Sequence, residues 1–222
     1  MRTSCETPIA VAGGRSYELS KRILDVVGAL AGILTFAPLL ILIGIVIRSA
    51  SPGPVFYLGL RSGRDGHTFR ILKFRTMVPN AELIGGPSTA LNDPRLTKVG
   101  KWLRKFKLDE LPQLLNILAG DMSFVGPRPQ VLDYTRRYEG EEKLILSVKP
   151  GLTDYASLKF INLDEVLGDG NVDEQYAREI EPEKNRLRLL YVKRRSFAED
   201  MRILVGTMIQ ILRIKRRWSS GH

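Results

Sequence analysis

A long uncharged apolar run near the N-terminus constrains this chain more than any other feature. No charged residue lies between Val26 and Ile47, whereas Lys21 and Arg22 precede the run and Arg48 closes it. A straight helix over this run would measure about 33 Å, which is enough to cross the hydrocarbon core of a bilayer. The run is long for a secretory signal peptide, and no small-residue cleavage site follows it. The sequence therefore predicts a membrane-associated chain.

Pro38 lies inside the apolar run and predicts an interruption of its helix. Proline lacks an N–H and clashes with the carbonyl one turn earlier, so we expect a kink or break near Phe36 and Ala37. Each arm would be about 17 Å long, which suits a hairpin that enters one leaflet and returns. Positive residues at both ends agree with both ends staying on the cytoplasmic side. A kinked transmembrane helix is the alternative, and on sequence statistics alone it is the commoner outcome for such a run. We assign residues 17–50 to this membrane element and expect residues 1–16 to be disordered.

Composition narrows the range of partners and cofactors. The 222 residues suffice for one catalytic domain with appendages. The net charge of +10 favours polyanions such as acidic lipid head groups, phosphorylated substrates or nucleic acid. The single cysteine, Cys5, rules out an internal disulfide, and the two histidines, His67 and His222, stand too far apart in sequence to suggest a zinc site. Magnesium, which takes oxygen ligands, stays open.

The remaining patterns predict an α+β fold that is mostly helical. Residues 51–197 form the expected catalytic domain, and residues 198–222 form a basic amphipathic helix and tail. That helix suits a head-group interface and packing on protein equally well. The predicted elements of the catalytic domain are a small β-hairpin from strands Val55–Leu58 and Phe69–Phe74, and helices Lys101–Lys107, Asp109–Leu118 and Tyr176–Lys193.

Adjacent carboxylates at Asp109 and Glu110 are the main candidates for chemistry. Because proline is tolerated in a first helical turn, Pro112 predicts that both acids lie at a helix N-terminus. Adjacent acids there are commonly no more than charge complements to the helix dipole. A carboxylate can also attack phosphorus, and a second one can hold magnesium on phosphate oxygens.

Three cations give the phosphate interpretation its weight. Arg104 precedes the acids, Arg128 follows them between two prolines, and Lys73 ends a predicted strand. Arginine binds phosphate oxygens bidentately, and prolines on both sides restrict the backbone of Arg128. The sequence therefore predicts a phosphate-binding site around the acid pair.

Six segments occur in an order that resembles a known family. They are Lys21-Arg22, the apolar run with Pro38, Ser51-Pro52-Gly53-Pro54-Val55-Phe56, Lys73-Phe74-Arg75-Thr76-Met77, Leu108-Asp109-Glu110-Leu111-Pro112-Gln113 and Val125-Gly126-Pro127-Arg128-Pro129. Together they resemble the monotopic polyprenyl-phosphate phosphoglycosyl transferases, the bacterial sugar transferase family, over roughly residues 20 to 160. The chain is similar to the minimal catalytic unit of that family.

The resemblance implies transfer of a sugar 1-phosphate from a UDP-sugar to undecaprenyl phosphate, with magnesium and with release of UMP. It implies a covalent phosphosugar on Asp109, with Glu110 acting on the metal or on the lipid phosphate. Both acids are then expected at the metal, and Lys73, Arg104 and Arg128 are expected to bind phosphate. The expected location is the cytoplasmic face of a bacterial inner membrane. The resemblance also favours the re-entrant hairpin over a simple span.

The expected partners follow from the same resemblance. They are the UDP-sugar, undecaprenyl phosphate and membrane lipids, together with a second copy of the chain and downstream glycosyltransferases. No nucleic-acid partner is expected. The pathway would be that of a bacterial surface glycan, such as an exopolysaccharide or lipopolysaccharide.

Three positions depart from the family pattern. Ala37 stands where relatives often carry serine before the membrane proline, and Lys107 stands where a small hydroxyl residue often precedes the aspartate by two. Ile161 occupies a position near which many members have arginine. This last departure bears on contacts to the nucleotide sugar.

Two other functions fit part of the pattern. A magnesium-dependent phosphohydrolase would use the same acids, with water as the acceptor. A non-enzymatic basic membrane adaptor that binds anionic lipid or nucleic acid would fit the net charge, because each basic residue near the surface adds about 1 kcal/mol. The adaptor leaves the acid pair and Arg128 unexplained, and the interrupted apolar run favours a lipid acceptor over water.

Overall fold

The computed structural model describes residues 14–81, 84, 93–161 and 176–219, with the side chains of residue 177 and residues 213–219 excepted. In chain order the elements are α1 (Arg15–Ala50), β1 (Phe56–Ser62), β2 (Thr68–Phe74), α2 (Lys98–Lys105), α3 (Gln113–Ala119), β3 (Ser123–Val125), α4 (Leu132–Thr135), β4 (Gly151–Thr153), α5 (Tyr155–Lys159), α6 (Glu181–Arg194) and α7 (Phe197–Ser219). Short 3₁₀ segments lie at Arg64–Gly66, Leu108–Glu110 and Gly140–Ser147, and a π-helical turn at Tyr176–Ile180 leads into α6. The α+β, mostly helical class predicted from the sequence is confirmed.

Helix α1 is the one described helix that is long and apolar enough to cross a membrane by length and composition. It has 36 residues, and an 18-residue window with a mean hydropathy of 2.7 is only 11% buried. Large apolar side chains such as Leu34, Ile41 and Ile45 stay exposed. The core helix of a water-soluble domain would bury them, so α1 has the surface of a membrane helix.

The predicted break in α1 is not confirmed, because the residues on both sides of Pro38 are helical and α1 is a single element. A proline can bend a helix that continues on both sides of it. The re-entrant path of the segment therefore stays a prediction. Helix α1 begins at Arg15, within the stretch predicted to be disordered, and residues 1–13 of that stretch lie outside the described residues.

Two small sheets organise the domain. Strands β1 and β2 form the predicted hairpin, antiparallel from Phe56 opposite Phe74 to Ser62 opposite Thr68, which confirms that prediction. Strands β3 and β4 form a parallel pair with Val125 opposite Thr153, and this pair was not predicted.

Three apolar clusters form the core, and α1 contributes to two of them. In its N-terminal half, Ala29 packs with Ile71 of the hairpin and with Ile117 of α3. Near its C-terminal end, Ile43 and Ile47 pack with two further residues of the domain, Phe74 and Leu103. Both halves of the membrane helix therefore rest on the same domain. The third cluster joins β3 to α6 and α7 around Val125, Tyr191 and Ile203.

The helix predicted over Asp109–Leu118 begins later than expected. Asp109 and Glu110 lie in a 3₁₀ turn, and α3 starts at Gln113, after Pro112. Lys107 has a left-handed backbone with φ 55°, which separates this turn from α2. The acids therefore precede α3 in a 3₁₀ turn instead of opening the α-helix, and the predicted start at Asp109 was four residues too early.

The predicted C-terminal helix is α7. It buries Ile203 completely and leaves Val205, Met208 and Leu212 exposed, so it has an inner and an outer face. The basic side chains of the predicted tail lie outside the described residues. Contact of this helix with lipid stays a prediction.

Candidate active site

Three separate elements bring charged side chains together around Glu110. Lys73 ends β2, Glu110 lies in the 3₁₀ turn, and Arg128 follows β3. Lys73 Nζ donates to Glu110 Oε1 at 3.0 Å, and Arg128 Nη2 donates to the same oxygen. Two cations therefore share one carboxylate oxygen, in a site where the Glu110 side chain is only 15% exposed.

Asp109 differs from Glu110 in its hydrogen-bond partners. Its side chain is buried, and no described group donates a hydrogen bond to it or pairs with it. Lys73, Arg104 and Lys107 are close enough for their charges to act on it, but none of them is recorded in contact with its oxygens. The acid pair thus consists of one carboxylate that is held and one that is left without a donor.

The electrostatics of the two acids follow from this difference. Burial and the charge of Glu110 raise the pKa of Asp109, against the opposing charges of the nearby cations. Burial would also raise the pKa of Glu110, but Arg128 and Lys73 outweigh it and hold that pKa well below its ordinary value. Burial lowers the pKa of Lys73 although Glu110 opposes the shift. Glu110 therefore stays ionised, and Asp109 is the more basic carboxylate.

Arg104 lies on α2, which packs closely against the backbone of Thr76 through Gly100. Thr97 caps α2 by accepting from the backbone N–H of Gly100 at 2.8 Å. A Cβ on Gly100 would lie 1.8 Å from the carbonyl oxygen of Thr76, so only glycine allows α2 to approach this closely. Arg104 Nε then donates to Thr76 Oγ1 at 3.0 Å. The structure therefore places Arg104 beside the site on Thr76, and does not bond it to either acid.

The backbone of Arg128 is held by an aspartate that the sequence analysis did not single out. The Arg128 N–H donates to Asp154 Oδ2 at 3.1 Å, while Asp154 Oδ1 caps α5 by accepting from the Ser157 N–H at 2.6 Å. Arg128 Nη1 also donates to the Leu152 carbonyl at 3.2 Å. The sequence indicates Asp154 as a helix cap for the N–H of Ser157. It does not indicate that Asp154 also accepts from the N–H of Arg128, in a loop 26 residues earlier.

A cavity of about 360 Å³ opens from this cluster, within the size range of ligand sites. Glu110, Arg128 and Lys107 line it, together with Ile161 and residues of α3, α5, α6 and α7. Asp109 is not among the described residues of its wall. Glu110 therefore faces the cavity, and Asp109 is its neighbour in the same 3₁₀ turn.

A family model for bacterial sugar transferases matches residues 16–214. The chain belongs to the bacterial sugar transferase family. The match includes both acids, all three predicted phosphate-binding cations and the membrane helix.

Several curated relatives have names that describe a reaction or a pathway. The UDP-glucose:undecaprenyl-phosphate glucose-1-phosphate transferase of Caulobacter vibrioides is 43% identical over 150 residues, covering 65% of this chain and 55% of that protein. The UDP-N-acetylgalactosamine-undecaprenyl-phosphate N-acetylgalactosaminephosphotransferase of Aeromonas hydrophila is 39% identical over 145 residues, covering 64% of this chain and 34% of that protein. The exopolysaccharide production protein PSS of Rhizobium leguminosarum bv. phaseoli is 34% identical over 203 residues, covering 86% and 94%. Other relatives are matched over about two fifths of their length, for example 43% and 42%.

The carboxylate oxygens of Asp109 and Glu110 fit a magnesium ion that is held mainly by substrate oxygens. Magnesium commonly takes one or two carboxylates and completes its shell with phosphate oxygens and water. Asp109 offers a carboxylate that no described donor occupies, and Glu110 stands beside it. Within the described residues there is no group of three or more metal-ligating side chains. A metal site built from protein alone is therefore absent from the described part, whereas one shared with a phosphorylated substrate fits.

One charged residue at the start of α1 has a role that its local spacing does not indicate. Asp25 lies three and four residues after Arg22 and Lys21, a spacing typical of a surface ion pair on a helix, but the structure buries it. Asp25 is 2% exposed and accepts from the Ser123 hydroxyl at 3.0 Å and the Phe124 N–H at 2.9 Å. These contacts join α1 to β3, the strand that leads into Arg128. No local spacing in the sequence signals a partner almost a hundred residues away.

Proposed function

We propose that the chain transfers a sugar 1-phosphate from a UDP-sugar to undecaprenyl phosphate and releases UMP. The names of the relatives support both substrates, because they describe undecaprenyl-phosphate sugar phosphotransferases. The observation that carries the proposal is the difference between the hydrogen-bond partners of the two acids. Glu110 is held by two cations, while the buried Asp109 carboxylate has no described donor.

The first step is attack by an Asp109 carboxylate oxygen on the sugar-linked phosphorus of the donor. A P–O bond to the phosphosugar forms, the diphosphate P–O bond breaks, and UMP leaves with the electron pair. A carboxylate without hydrogen-bond donors keeps its lone pairs available, and its raised pKa makes it the better nucleophile of the pair. Lys73 and Arg128 provide positive charge for the phosphate oxygens, on which negative charge builds up.

The second step regenerates the free Asp109 carboxylate. A phosphate oxygen of undecaprenyl phosphate attacks the same phosphorus, the acyl phosphate bond breaks, and Asp109 leaves as a carboxylate. Glu110 stays ionised throughout because Arg128 and Lys73 hold its pKa down. Its role in this scheme is to position those two cations. A magnesium ion bound beside the acids would neutralise phosphate charge and assist both steps.

The lipid acceptor requires the site to lie at a bilayer surface. Helix α1 is apolar and largely exposed, and both of its ends contact the catalytic domain, through Lys21 near the start and Ile47 near the end. A helix that crossed the membrane and continued into water would carry one end away from that domain. Packing at both ends supports a re-entrant helix, with the domain on the cytoplasmic face of the inner membrane.

The decisive assay incubates detergent-solubilised protein with a panel of UDP-sugars, magnesium and undecaprenyl phosphate, and measures UMP. We expect release that depends on the lipid acceptor. Release at the same rate without the lipid would indicate the phosphohydrolase instead, and no release with any donor would refute the transferase.

The covalent step has its own test. Asp109→Asn should abolish turnover, and labelled UDP-sugar should mark the wild-type chain but not this variant. Asp133→Asn is a matched control, because the Asp133 side chain is 80% exposed and far from the acids in sequence. An Asp109→Asn variant with normal turnover would reject the aspartyl intermediate.

Topology is tested separately. Single cysteines placed at residues 15 and 50 should both be labelled by an impermeant reagent from the cytoplasmic side. Labelling from opposite sides would establish a transmembrane span.

A further inference from the structure

The wall of the 360 Å³ cavity carries a buried arginine that the proposed mechanism does not use. Arg188 of α6 lines this cavity together with Arg128 and is only 1% exposed. It is among the largest fully buried side chains of the described part. A fully buried guanidinium is costly unless a negative group compensates its charge.

The partners of Arg188 in the described structure are neutral. Its Nη1 donates to Asn185 Oδ1 at 2.7 Å. With the Gln130 amide oxygen turned toward it, that oxygen accepts from Nη1 at 2.9 Å and also from Nη2. Its Nε is buried with no hydrogen-bond partner among the described residues. No described carboxylate lies within the 4.0 Å of an ion pair, so the described groups that accept hydrogen bonds from this guanidinium are amide oxygens.

Glu181, two helical turns earlier, does not serve as the missing counterion. Burial raises the pKa of Glu181, and although the charge of Arg188 acts in the opposite direction, the pKa stays raised. A carboxylate in a close ion pair would instead have its pKa lowered. Among the described residues, Arg188 therefore has no carboxylate in ion-pair contact at the wall of the cavity.

We propose that Arg188 binds a phosphate group of the reactants inside this cavity, as a second phosphate-binding arginine beside Arg128. The inference rests on the proposed function and adds a residue to its site. A phosphate oxygen is the anion that this chemistry would bring into the cavity, and guanidinium groups match its geometry. Gln130 lies two residues after Arg128, so its contact with Arg188 ties the two arginines to one loop.

The phosphate has two sources, and binding measurements separate them. Purified full-length chain in detergent is titrated with UMP and with uridine, and the KM for undecaprenyl phosphate is measured under turnover. The variants are Arg188→Met, which keeps an apolar stem without charge, and Arg188→Lys, which keeps the charge without the fork. Arg186→Met is the control on the same helix, because Arg186 is 65% exposed and pairs with Glu183.

We expect Arg188→Met to weaken UMP binding by about 10- to 100-fold and uridine binding by less than about twofold. Arg188→Lys should lose less, and Arg186→Met should match the wild type. A phosphate supplied by the lipid would instead raise the KM for undecaprenyl phosphate by a similar factor, with UMP binding unchanged. Either pattern supports a phosphate-binding Arg188 and identifies the source.

A purely structural Arg188 gives a different result. Damage to the fold would weaken UMP and uridine equally, and that outcome, or affinities like those of Arg186→Met, overturns the inference. If Arg188→Met does not fold, the comparison of UMP with uridine in Arg188→Lys decides by the same criterion. A wild-type chain that neither binds UMP nor releases it refutes the proposed function, which separates that failure from the failure of Arg188 alone.

Discussion

Neutralising each acid of the pair in turn should move stability in opposite directions. Glu110→Gln removes the carboxylate that Lys73 and Arg128 share, and leaves two cations close together. Asp109→Asn removes a buried charge that burial and Glu110 both disfavour. The first change should therefore destabilise the fold, and the second should stabilise it while abolishing transfer.

Exposure sets the size of the Glu110 effect. Breaking a fully buried pair costs about 3–5 kcal/mol, and an exposed pair is worth about 0–1 kcal/mol. The side chains of Lys73, Glu110 and Arg128 are 22%, 15% and 35% exposed, so water screens part of the interaction. We expect a loss of about 2 kcal/mol, which corresponds to a midpoint lower by about 4–8 °C for a chain of this size.

The Asp109 effect should be smaller and of opposite sign. Relieving a functional group that is unfavourable in the folded state typically gains about 0.5–2 kcal/mol. A gain in the lower half of that range, about 0.5–1 kcal/mol, corresponds to a rise in midpoint of about 1–4 °C. Thermal unfolding in detergent, followed by circular dichroism, measures both variants against wild type and the exposed control Asp133→Asn.

The pH dependence follows from the direction of each pKa shift. The pKa of Glu110 is lowered, so its contribution is fully present above the ordinary value of 4.5 and is lost only as pH falls through the lower folded pKa. The pKa of Asp109 is raised, so the advantage of Asp109→Asn appears as pH rises above 3.8 and levels off beyond the folded pKa. A Glu110→Gln midpoint at or above that of wild type, or an equal loss in both variants, would refute this account of the pair.

Two further predictions concern a close backbone contact and a buried ion pair. Gly100→Ala should destabilise the chain by about 2–3 kcal/mol, because the added carbon would lie 1.8 Å from the backbone of Thr76. Gly206→Ala is the control: its added carbon meets only side-chain atoms at 3.5 Å, so its stability should stay within about 1 kcal/mol of wild type in the same unfolding experiment. Lys21→Met should cost about 3–5 kcal/mol, because it leaves Asp200, its partner at 2.6 Å, buried without a cation. Adding Asp200→Asn should recover at least half of that loss, and a double variant as unstable as Lys21→Met would contradict the pairing.

The sequence was sufficient for the parts of the site that local patterns encode. Two short apolar segments joined by a turn with two glycines, Gly63 and Gly66, indicated the hairpin whose second strand carries Lys73. The ordered motifs pointed to Glu110 and Arg128. In the structure Arg128 and Lys73 both donate to the same oxygen of Glu110. The motifs did not show which of the two acids is bonded to the cations. Two adjacent carboxylates look equivalent in sequence until their neighbours in space are known.

Long-range polar contacts explain the rest of the difference. Asp154 caps a helix locally and bonds the Arg128 N–H across 26 residues of sequence. Arg188 lies on a helix whose pattern predicts only charge and solvent, yet it is almost fully buried. A single sequence records neither pairing, since each depends on how β3, α5 and α6 pack together.

The first charged residues of α1 have a role that topology rules alone do not suggest. Such residues are usually interpreted as signals that keep a helix end on the cytoplasmic side. Here Lys21 Nζ donates to the Val125 carbonyl at 2.8 Å, and Arg22 Nη1 donates to the Ile117 carbonyl at 2.7 Å. Asp25 accepts from the start of β3 as well. The strand before the Arg128 loop and the helix after the acid pair are therefore both bonded to about one turn of the membrane helix. Because that turn directly precedes the apolar run, these bonds fix the position of the candidate site relative to that run.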